Sequence, residues 1–415
     1  MSNTSVTIDN QAAAGLSNTQ ARFGAVAKTF HWTTALLILT MIPLGIIAKN
    51  WPYDTSEALA FKATLFSIHK TLGLAIFAVA LLRIAWALIQ PRPAPVKEEP
   101  AWQEFLANIV HFALYGALVV LPLSGWLHHA ATSGFAPIWW PFGQTLFFIP
   151  QSEPLAQAFA VIHFLANLFL VLLILLHVAG ALKHHVIDRD ATLRRMLPGM
   201  PELPAVLAPA PRWRGPARSA AGIWALLVIG GAALGLSAPQ EAVTAEALAA
   251  PPPSGWVVQS GTLGITVLQL GQPVSGEFAD WTAAIEFSET ADAAGIHGDV
   301  AVTISVPTLT LGGVTSQALG ADFLDAENHA VATFVGPIIA TETGFAVDGA
   351  FTLVGQTLAV TLPFDLTLDG ETANASGQVT IDRRDFGIGE SQPDEANVGF
   401  SVEIAFDLVA IPAAE

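Results

Sequence analysis

Five apolar runs, near residues 30–48, 66–90, 105–128, 157–182 and 220–238, constrain this 415-residue chain more than any other feature. Each matches the roughly 20 apolar residues that a helix needs to cross a bilayer's hydrocarbon core. Lipid offers the backbone no hydrogen-bonding partner, so runs of this kind resolve as membrane helices. The flanking charges orient them. Arg22 and Lys28 precede the first span, and Arg83, Arg92 and Lys97 cluster at the end of the second. Lys183, Arg189, Arg194 and Arg195 follow the fourth, while Arg212, Arg214 and Arg218 precede the fifth. Lys49 and Lys62 run against this trend, and the loop between spans 3 and 4 has no Lys or Arg. The positive-inside rule therefore predicts a cytoplasmic N-terminus and a C-terminal region outside the cytoplasm. The aromatic run IWWPFGQTLFF (138–148) in that loop suits a membrane interface or a lid over the helices.

Beyond the fifth span the composition changes. Residues 1–239 hold 15 basic and 10 acidic side chains, a balance of +5, whereas residues 240–415 hold 2 and 24, a balance of −22. Such an acidic second half repels phosphate, which argues against nucleic acid as a partner. There is no cysteine, so disulfides, thiolate metal sites and iron–sulfur clusters are excluded. Residues 1–21 are expected to be a disordered tail, 199–219 a cytoplasmic linker and 239–255 a Pro/Ala-rich linker. From Trp256, short segments alternate apolar and polar residues: VAVTISV (300–306), TLAVTLPFDLTL (357–368) and FSVEIAFDLV (400–409). Period-two alternation between Gly, Asn and Asp predicts an antiparallel β-sandwich or barrel.

Nine of the eleven histidines lie in the first half, several inside spans, where ionisable groups are costly and usually functional. His163 and His177 are fourteen residues apart, which returns to nearly the same helix face about 21 Å along the axis. His31 starts span 1 on the cytoplasmic side and His69 starts span 2 on the outer side. Depth therefore pairs His31 with His177 and His69 with His163. Facing imidazoles at one depth make a bis-histidine haem site, and two pairs make two haems stacked across the bilayer. Zinc fits less well, because two imidazoles alone do not complete a structural site. A lone histidine at a span end is more often an interfacial residue, and His128 and His129 are assigned that way. His111 is a ligand in a different pairing or a contact of a haem propionate, and Arg83 is a propionate partner or an anchor of its span. His184 and His185 contact a quinone or relay its protons, or are interface residues. Gly45, Gly73, Gly116, Gly125 and Gly180 permit close helix or porphyrin approach, and Pro43 and Pro122 interrupt spans 1 and 3.

The segments AVAKTFHW (25–32), SIHKTLGL (67–74), IVHFALYGALVVLPLSGW (109–126) and LHVAGALKHHVIDRDATLRRMLPG (176–199) resemble the bacterial cytochrome b561 family over about residues 22–198. The resemblance implies a four-helix membrane bundle with two b-type haems that exchanges electrons with ubiquinone. It assigns His31, His69, His163 and His177 as axial ligands, in agreement with the pairing by depth. Some members of that family oxidise superoxide and pass the electron to quinone.

In the second half no catalytic constellation stands out. His297 and His329 are expected at the surface or in loops, and Asp382, Arg383, Arg384 and Asp385 as a salt-bridged knot or turn. GITVLQLGQPVSGEFADW (264–281), LGADFLDAENHAVATF (319–334), FTLVGQTLAVTLPFDL (351–366) and IDRRDFGIG (381–389) resemble the YceI family over about residues 256–411. That family forms a periplasmic, lipocalin-like barrel around a polyisoprenoid chain such as the ubiquinone tail. Gln269 stands where a histidine is common and Ala330 where proline is common.

The expected architecture is an α-helical membrane bundle, with four haem-binding spans and one tethering span, followed by an all-β lipocalin-like antiparallel barrel. The expected function is that of a di-haem b-type cytochrome of the bacterial inner membrane, exchanging electrons with ubiquinone and tethered to a periplasmic quinone-binding barrel. Two alternatives differ in class: a superoxide:quinone oxidoreductase, with Lys49, Lys62 and Lys70 as a cationic funnel, or a lipid-binding module on a membrane anchor. A role as the anchor subunit for a redox partner protein is a further reading.

Overall fold

The computed structural model describes residues 15–132, 136–199, 214–237, 248–342 and 344–413. Most of the expected tail, residues 200–213 of the linker 199–219 and the first part of the linker 239–255 lie outside these residues, while the last six residues of the first linker begin the fifth helix. The chain divides into a helical unit, which includes residues 65–131 and 138–238, and a second unit built mainly from residues 239–415.

Five helices are long and apolar enough to cross a membrane: α1 (Ala25–Asn50), α2 (Ser56–Ile89), α3 (Ala101–Ala131), α4 (Glu153–Leu182) and α5 (Arg214–Leu236). A π-helical turn, Lys183–Ile187, extends α4. Each of the first four begins before the apolar run that marks it, α2 by ten residues. Hydropathy reports only the lipid-facing length, whereas SEALAFKATL (56–65) keeps good helix formers with Glu57 in the first turn. Pro43 and Pro122 lie inside α1 and α3.

α3, α4 and α5 share a core of Val110, Ala113 and Ala117, Ala166, Leu170 and Leu173, and Ala220 and Trp224. The fifth helix, expected as a tether, is thus packed into the helical unit. Trp224 donates its indole N–H to the Ala113 carbonyl at 3.0 Å. It lies where a side chain at Gly116 would have to go. Gly231 and Gly235 face Ile162 and Ala158 of α4, so close that a Cβ at Gly235 would collide with the α4 backbone. Small residues four apart let membrane helices approach in this way.

The segment after α4 folds back onto the start of α1. Lys28 donates to the Leu197 and Gly199 carbonyls at 3.0 and 2.7 Å, and Trp32 to the Met196 carbonyl at 2.7 Å. Arg195 is buried and donates to the carbonyls of Ala94 and Ala21. Residues 15–21, expected within the disordered tail, are instead held in place. The Gln20 carbonyl accepts from Ala94 N–H, and Asn18 N–H donates to the Gln90 side chain.

The second unit carries ten antiparallel strands: β1 (Trp256–Gln269), β2 (Gln272–Phe278), β3 (Trp281–Ile285), β4 (Ile296–Ser305), β5 (Leu309–Thr310), β6 (Val331–Ala340), β7 (Phe345–Leu353), β8 (Gln356–Asp369), β9 (Thr372–Asp382) and β10 (Val398–Pro412). The order β10-β9-β8-β7-β6-β4-β3-β1 closes because β1 also pairs with β10, from Trp256↔Pro412 to Gln269↔Val398. The result is an eight-stranded closed barrel, with β2 and β5 continuing from β1. Closure removes the sheet edges that a sandwich would leave. Inward and outward residues alternate along each strand; on β8, Val360, Leu362, Phe364 and Leu366 point inward. The β1–β2 hairpin turns on Leu270–Gly271, both with positive φ, the geometry of a two-residue type I′ turn.

The charged run at 382–385 is a structural turn. Asp382 caps it and pairs with Arg384 at 2.6 Å. Among the described residues Arg383 forms no ion pair with a carboxylate; it is 3% exposed and donates to five backbone carbonyls, those of Ile388, Gly389, Gln392, Val398 and Gly399. His297, expected at the surface or in a loop, lies at the start of β4, where it stacks on Phe287 and its Nδ1–H donates to the Ser288 carbonyl.

Candidate functional site: two imidazole levels and an apolar barrel

The helical unit holds its histidines at two levels. At one, His31 of α1 faces His177 of α4 with ring centres 6.1 Å apart. At the other, His69 of α2 faces His163 of α4 at 6.4 Å. Two imidazoles on one metal, each bonded at about 2 Å, have ring centres about 6.3 Å apart. Both separations leave room for one iron atom between the rings.

Hydrogen bonding aims one ring in particular. Nδ1 of His163 lies 3.0 Å from the Leu121 carbonyl and 3.2 Å from Ser124 Oγ. A bond from Nδ1–H to a carbonyl fixes the tautomer and leaves Nε2 free to ligate, the usual support for a metal-binding histidine. Pro122 bears on this geometry. It removes the backbone donor that would reach the Leu118 carbonyl and so interrupts α3 one turn from where the Leu121 carbonyl meets His163. Glycines make the space. A Cβ at Gly45 would lie 2.8 Å from His69 Cε1, and one at Gly125 would lie 3.2 Å from His163. Nδ1 of His69 is buried without a hydrogen-bond partner, which is costly in an apolar helix bundle. Of the other glycines singled out, Gly116 faces Trp224, Gly73 only touches Met41, and Gly180 meets nothing within 4 Å.

His111 joins the first level, 5.0 Å from His177 and edge-on. That separation is too short to hold an iron between the two rings. Its Nδ1 is engaged by the Ala107 carbonyl at 2.6 Å. Arg83 also reaches this level, with Nη2 3.5 Å from His31 Nδ1 and its guanidinium over the Tyr115 ring. At the second level Lys70 Nζ lies 3.2 Å from His129 Nδ1, and His129 Nε2 lies 3.1 Å from Gln144 Oε1. His129, assigned to the interface from sequence, is buried in this chain of contacts. His128 lies 2.9 Å from the Ala156 carbonyl of α4. Lys62 is held by the Trp51 carbonyl and the Tyr53 ring.

His184 begins an ionic cluster that sequence reading missed, because its carboxylates come from two loops. Nδ1 lies 2.7 Å from Asp190, and Glu99 and Asp188 complete a group whose ligand atoms fall within 4.8 Å of one another. Lys97 and Lys183 bridge Glu99 and Asp188 at 2.8–3.3 Å, so lysine already neutralises these carboxylates. The Asp188 carboxyl is held below its ordinary range by the Lys183 hydrogen bond, which with that of Lys97 outweighs the opposing effect of desolvation. Burial would raise Asp190, but bonds from Thr192 and His184 outweigh it and the net shift is downward. His185 is exposed.

Inside the barrel is an apolar cavity of about 250 Å³, lined from Trp256 at one end to Gln269 and Arg383 at the other. This is the concave, apolar kind of site that takes an apolar ligand.

Residues 22–199 match the family profile for prokaryotic cytochrome b561, and residues 256–410 that of the YceI-like domain. Cytochrome b561 homolog 2 of Escherichia coli is 31% identical over 184 residues, which is 43% of this chain and 93% of that protein. A Yersinia pestis protein named "Probable superoxide oxidase CybB" is 31% identical over 183 residues, covering 43% of this chain and 96% of its own. Among solved structures, Burkholderia cenocepacia BcnA is 30% identical, covering 36% of this chain and 95% of its own with a TM-score of 0.33. A polyisoprenoid binding domain from Saccharophagus degradans is 12% identical, covering 39% and 100% with a TM-score of 0.30. Over residues 22–199 the chain belongs to the prokaryotic cytochrome b561 family of b-type haem membrane proteins, and over residues 256–410 it carries a YceI-like domain.

Proposed function

We propose that the helical unit is a di-haem electron carrier that exchanges electrons with ubiquinone in the bacterial inner membrane. The observation that carries this reading is the two pairs of facing imidazoles, at 6.1 and 6.4 Å, separations suited to one iron each. His31 and His177 are the ligands of one haem, His69 and His163 those of the other. Haem held there by these imidazoles would supply a one-electron Fe(III)/Fe(II) couple, with a potential that the ligand type and the surroundings would tune. The remaining roles belong to the protein. Leu121 and Ser124 hold His163 with Nε2 forward, and Gly45 and Gly125 keep the imidazoles clear of side chains. A ligating His31 carries its proton on Nδ1 and cannot accept from Arg83. The guanidinium is then free for a carboxylate such as a propionate, and His111 is a second contact at that level.

Reducing a quinone takes two electrons and two protons. His184, hydrogen-bonded to Asp190 through Nδ1, keeps Nε2 to contact a quinone oxygen or pass it a proton, with His185 exposed beside it. The ionic cluster of Glu99, Asp188, Lys97 and Lys183 fixes the turn that carries both histidines. The basic flanks of the spans support a cytoplasmic N-terminus, and the fifth helix supplies the crossing that puts the barrel in the periplasm. There the barrel holds an isoprenoid chain, the ubiquinone tail included, and the connection to the membrane raises its local concentration near the haem unit.

A second reading, superoxide:quinone oxidoreductase, is favoured by Lys70, which follows the ligand His69 directly and contacts His129. A cation beside the outer haem would attract an anionic donor. Stopped-flow spectroscopy separates the readings. Protein reduced anaerobically with dithionite and mixed with a short-tailed ubiquinone is expected to lose its reduced α-band within seconds. A band that persists would overturn the quinone reading. Superoxide should reduce the oxidised protein and Lys70→Gln should slow that step; an unchanged rate would remove the oxidoreductase reading alone.

A further inference from the structure

The barrel cavity is apolar along its length except at one end. Gln269, the last residue of β1, is 4% exposed, lines the cavity, and its Oε1 has no hydrogen-bond partner. Gln317, in the short helix Thr315–Ala318, also lines the cavity, and its Nε2 is buried without a partner. Contacts place the two at the same end. Gln269 pairs with Val398 in the sheet, and the Val398 carbonyl accepts from Arg383. Arg383 also holds Gly389, whose N–H donates to the Asp322 carbonyl, and Gly389 abuts Phe323. Phe323 in turn donates to Gly320, and Gly320 to the Gln317 carbonyl.

Buried amides with unmet hydrogen bonds are rare in native proteins, because each loses its solvation without compensation. Two of them at one end of an apolar cavity suit a ligand that brings the missing partners. Rotating either amide by a half-turn exchanges donor for acceptor, so the pair can meet an oxygen that donates, accepts or does both. The charge of that end is also defined. Arg383 is the cation in the cavity lining, and its guanidinium is committed to five carbonyls. The other basic residue after position 239 is Arg384, which is paired with Asp382. Residues 240–415 carry a balance of −22, which repels anions.

We infer that Gln269 and Gln317 form a hydrogen-bonding site for the neutral, oxygen-bearing end of an isoprenoid chain, and that the barrel discriminates against the same chain ended by hydrocarbon or by phosphate. This rests on the isoprenoid-binding reading of the barrel and adds the chemistry of the ligand's end. A quinone carbonyl and an isoprenoid alcohol share that chemistry.

The test uses matched fifteen-carbon probes on the full-length protein in detergent, with micelles alone as the blank. Tritiated farnesol is displaced in turn by unlabelled farnesol, farnesene, farnesyl pyrophosphate and a short-tailed ubiquinone. The wild type should prefer farnesol to farnesene by about tenfold, the equivalent of one net hydrogen bond to a buried group. Farnesyl pyrophosphate should compete less well than farnesol. In the variant carrying Gln269→Leu and Gln317→Leu, the preference should fall to about unity while farnesene binds at least as well as before. A short-tailed ubiquinone that displaces farnesol more effectively than farnesol itself would identify the quinone as the source of the oxygen. Equal binding of farnesol and farnesene by the wild type, or tighter binding of the pyrophosphate, overturns the inference and leaves the barrel's isoprenoid reading intact. Binding of none of the probes overturns both. The wild-type ratio alone decides the matter if the double variant does not fold.

Discussion

At the scale of single residues, the proposed haem sites separate ligation from support. His163 is held by a backbone carbonyl and a hydroxyl, whereas His69 depends on the space left by Gly45. Gly45→Val should press on His69 Cε1 and lower the haem content of that level, read as loss of one of two haems by pyridine haemochrome absorbance. His111→Ala should leave both haems in place, because its 5.0 Å approach to His177 is too close for an iron between them. The cluster at His184 carries a pH expectation. Asp188 and Asp190 have carboxyls held below the ordinary value of about 3.9, Asp188 by its lysine contacts and Asp190 mainly by the Thr192 hydrogen bonds, so these contacts stabilise the folded state above that value. That contribution is lost only as pH falls through the depressed folded values. The melting temperature in detergent should therefore be insensitive to these two acids between pH 5 and 8 and fall below about pH 4. Asp190→Asn should flatten the acid limb; an unchanged limb would remove Asp190 from the cause.

At the scale of elements, the fifth helix is a packing partner as well as a crossing. Gly235→Leu should force α5 off Ala158 of α4 and lower the thermal midpoint of the helical unit. Haem content should not change, because α5 carries no histidine. In the barrel, Arg383→Met should strand five buried carbonyls and cost at least about 3 kcal/mol, measured as loss of the β-sheet circular dichroism transition at lower denaturant. Much at this scale was legible in the sequence. Apolar length gave five helices, period-two alternation gave β4, β8 and β10, and depth along α4 gave the histidine pairs. What was not legible depended on long-range approach. The alternation of β8 is the same in a sandwich and a barrel, and only the β1–β10 pairing closes the sheet. Nothing local to Glu99, some 85 residues before His184, announces that the two meet. Arg195 likewise resembled a positive-inside charge, yet it is a buried clamp on residues 21 and 94.

At the scale of the whole molecule, two domains with different solvents are joined in one chain, one apolar with two levels of facing imidazoles and one acidic with an apolar interior. The proposed topology gives a direct expectation, helped by the absence of native cysteine. Thr290→Cys in the barrel should react with a membrane-impermeant maleimide in intact spheroplasts, whereas Glu98→Cys, between α2 and α3, should react only after lysis. Labelling in the reverse order would invert the orientation. The haem arrangement itself is tested most directly by the haem-to-protein ratio of the purified chain, measured for the wild type and for His31→Ala, His69→Ala, His163→Ala and His177→Ala. The wild type should hold two low-spin haems per chain, and each variant should lose one. A wild-type ratio of one, or a histidine variant that keeps both haems, would contradict the two-pair arrangement.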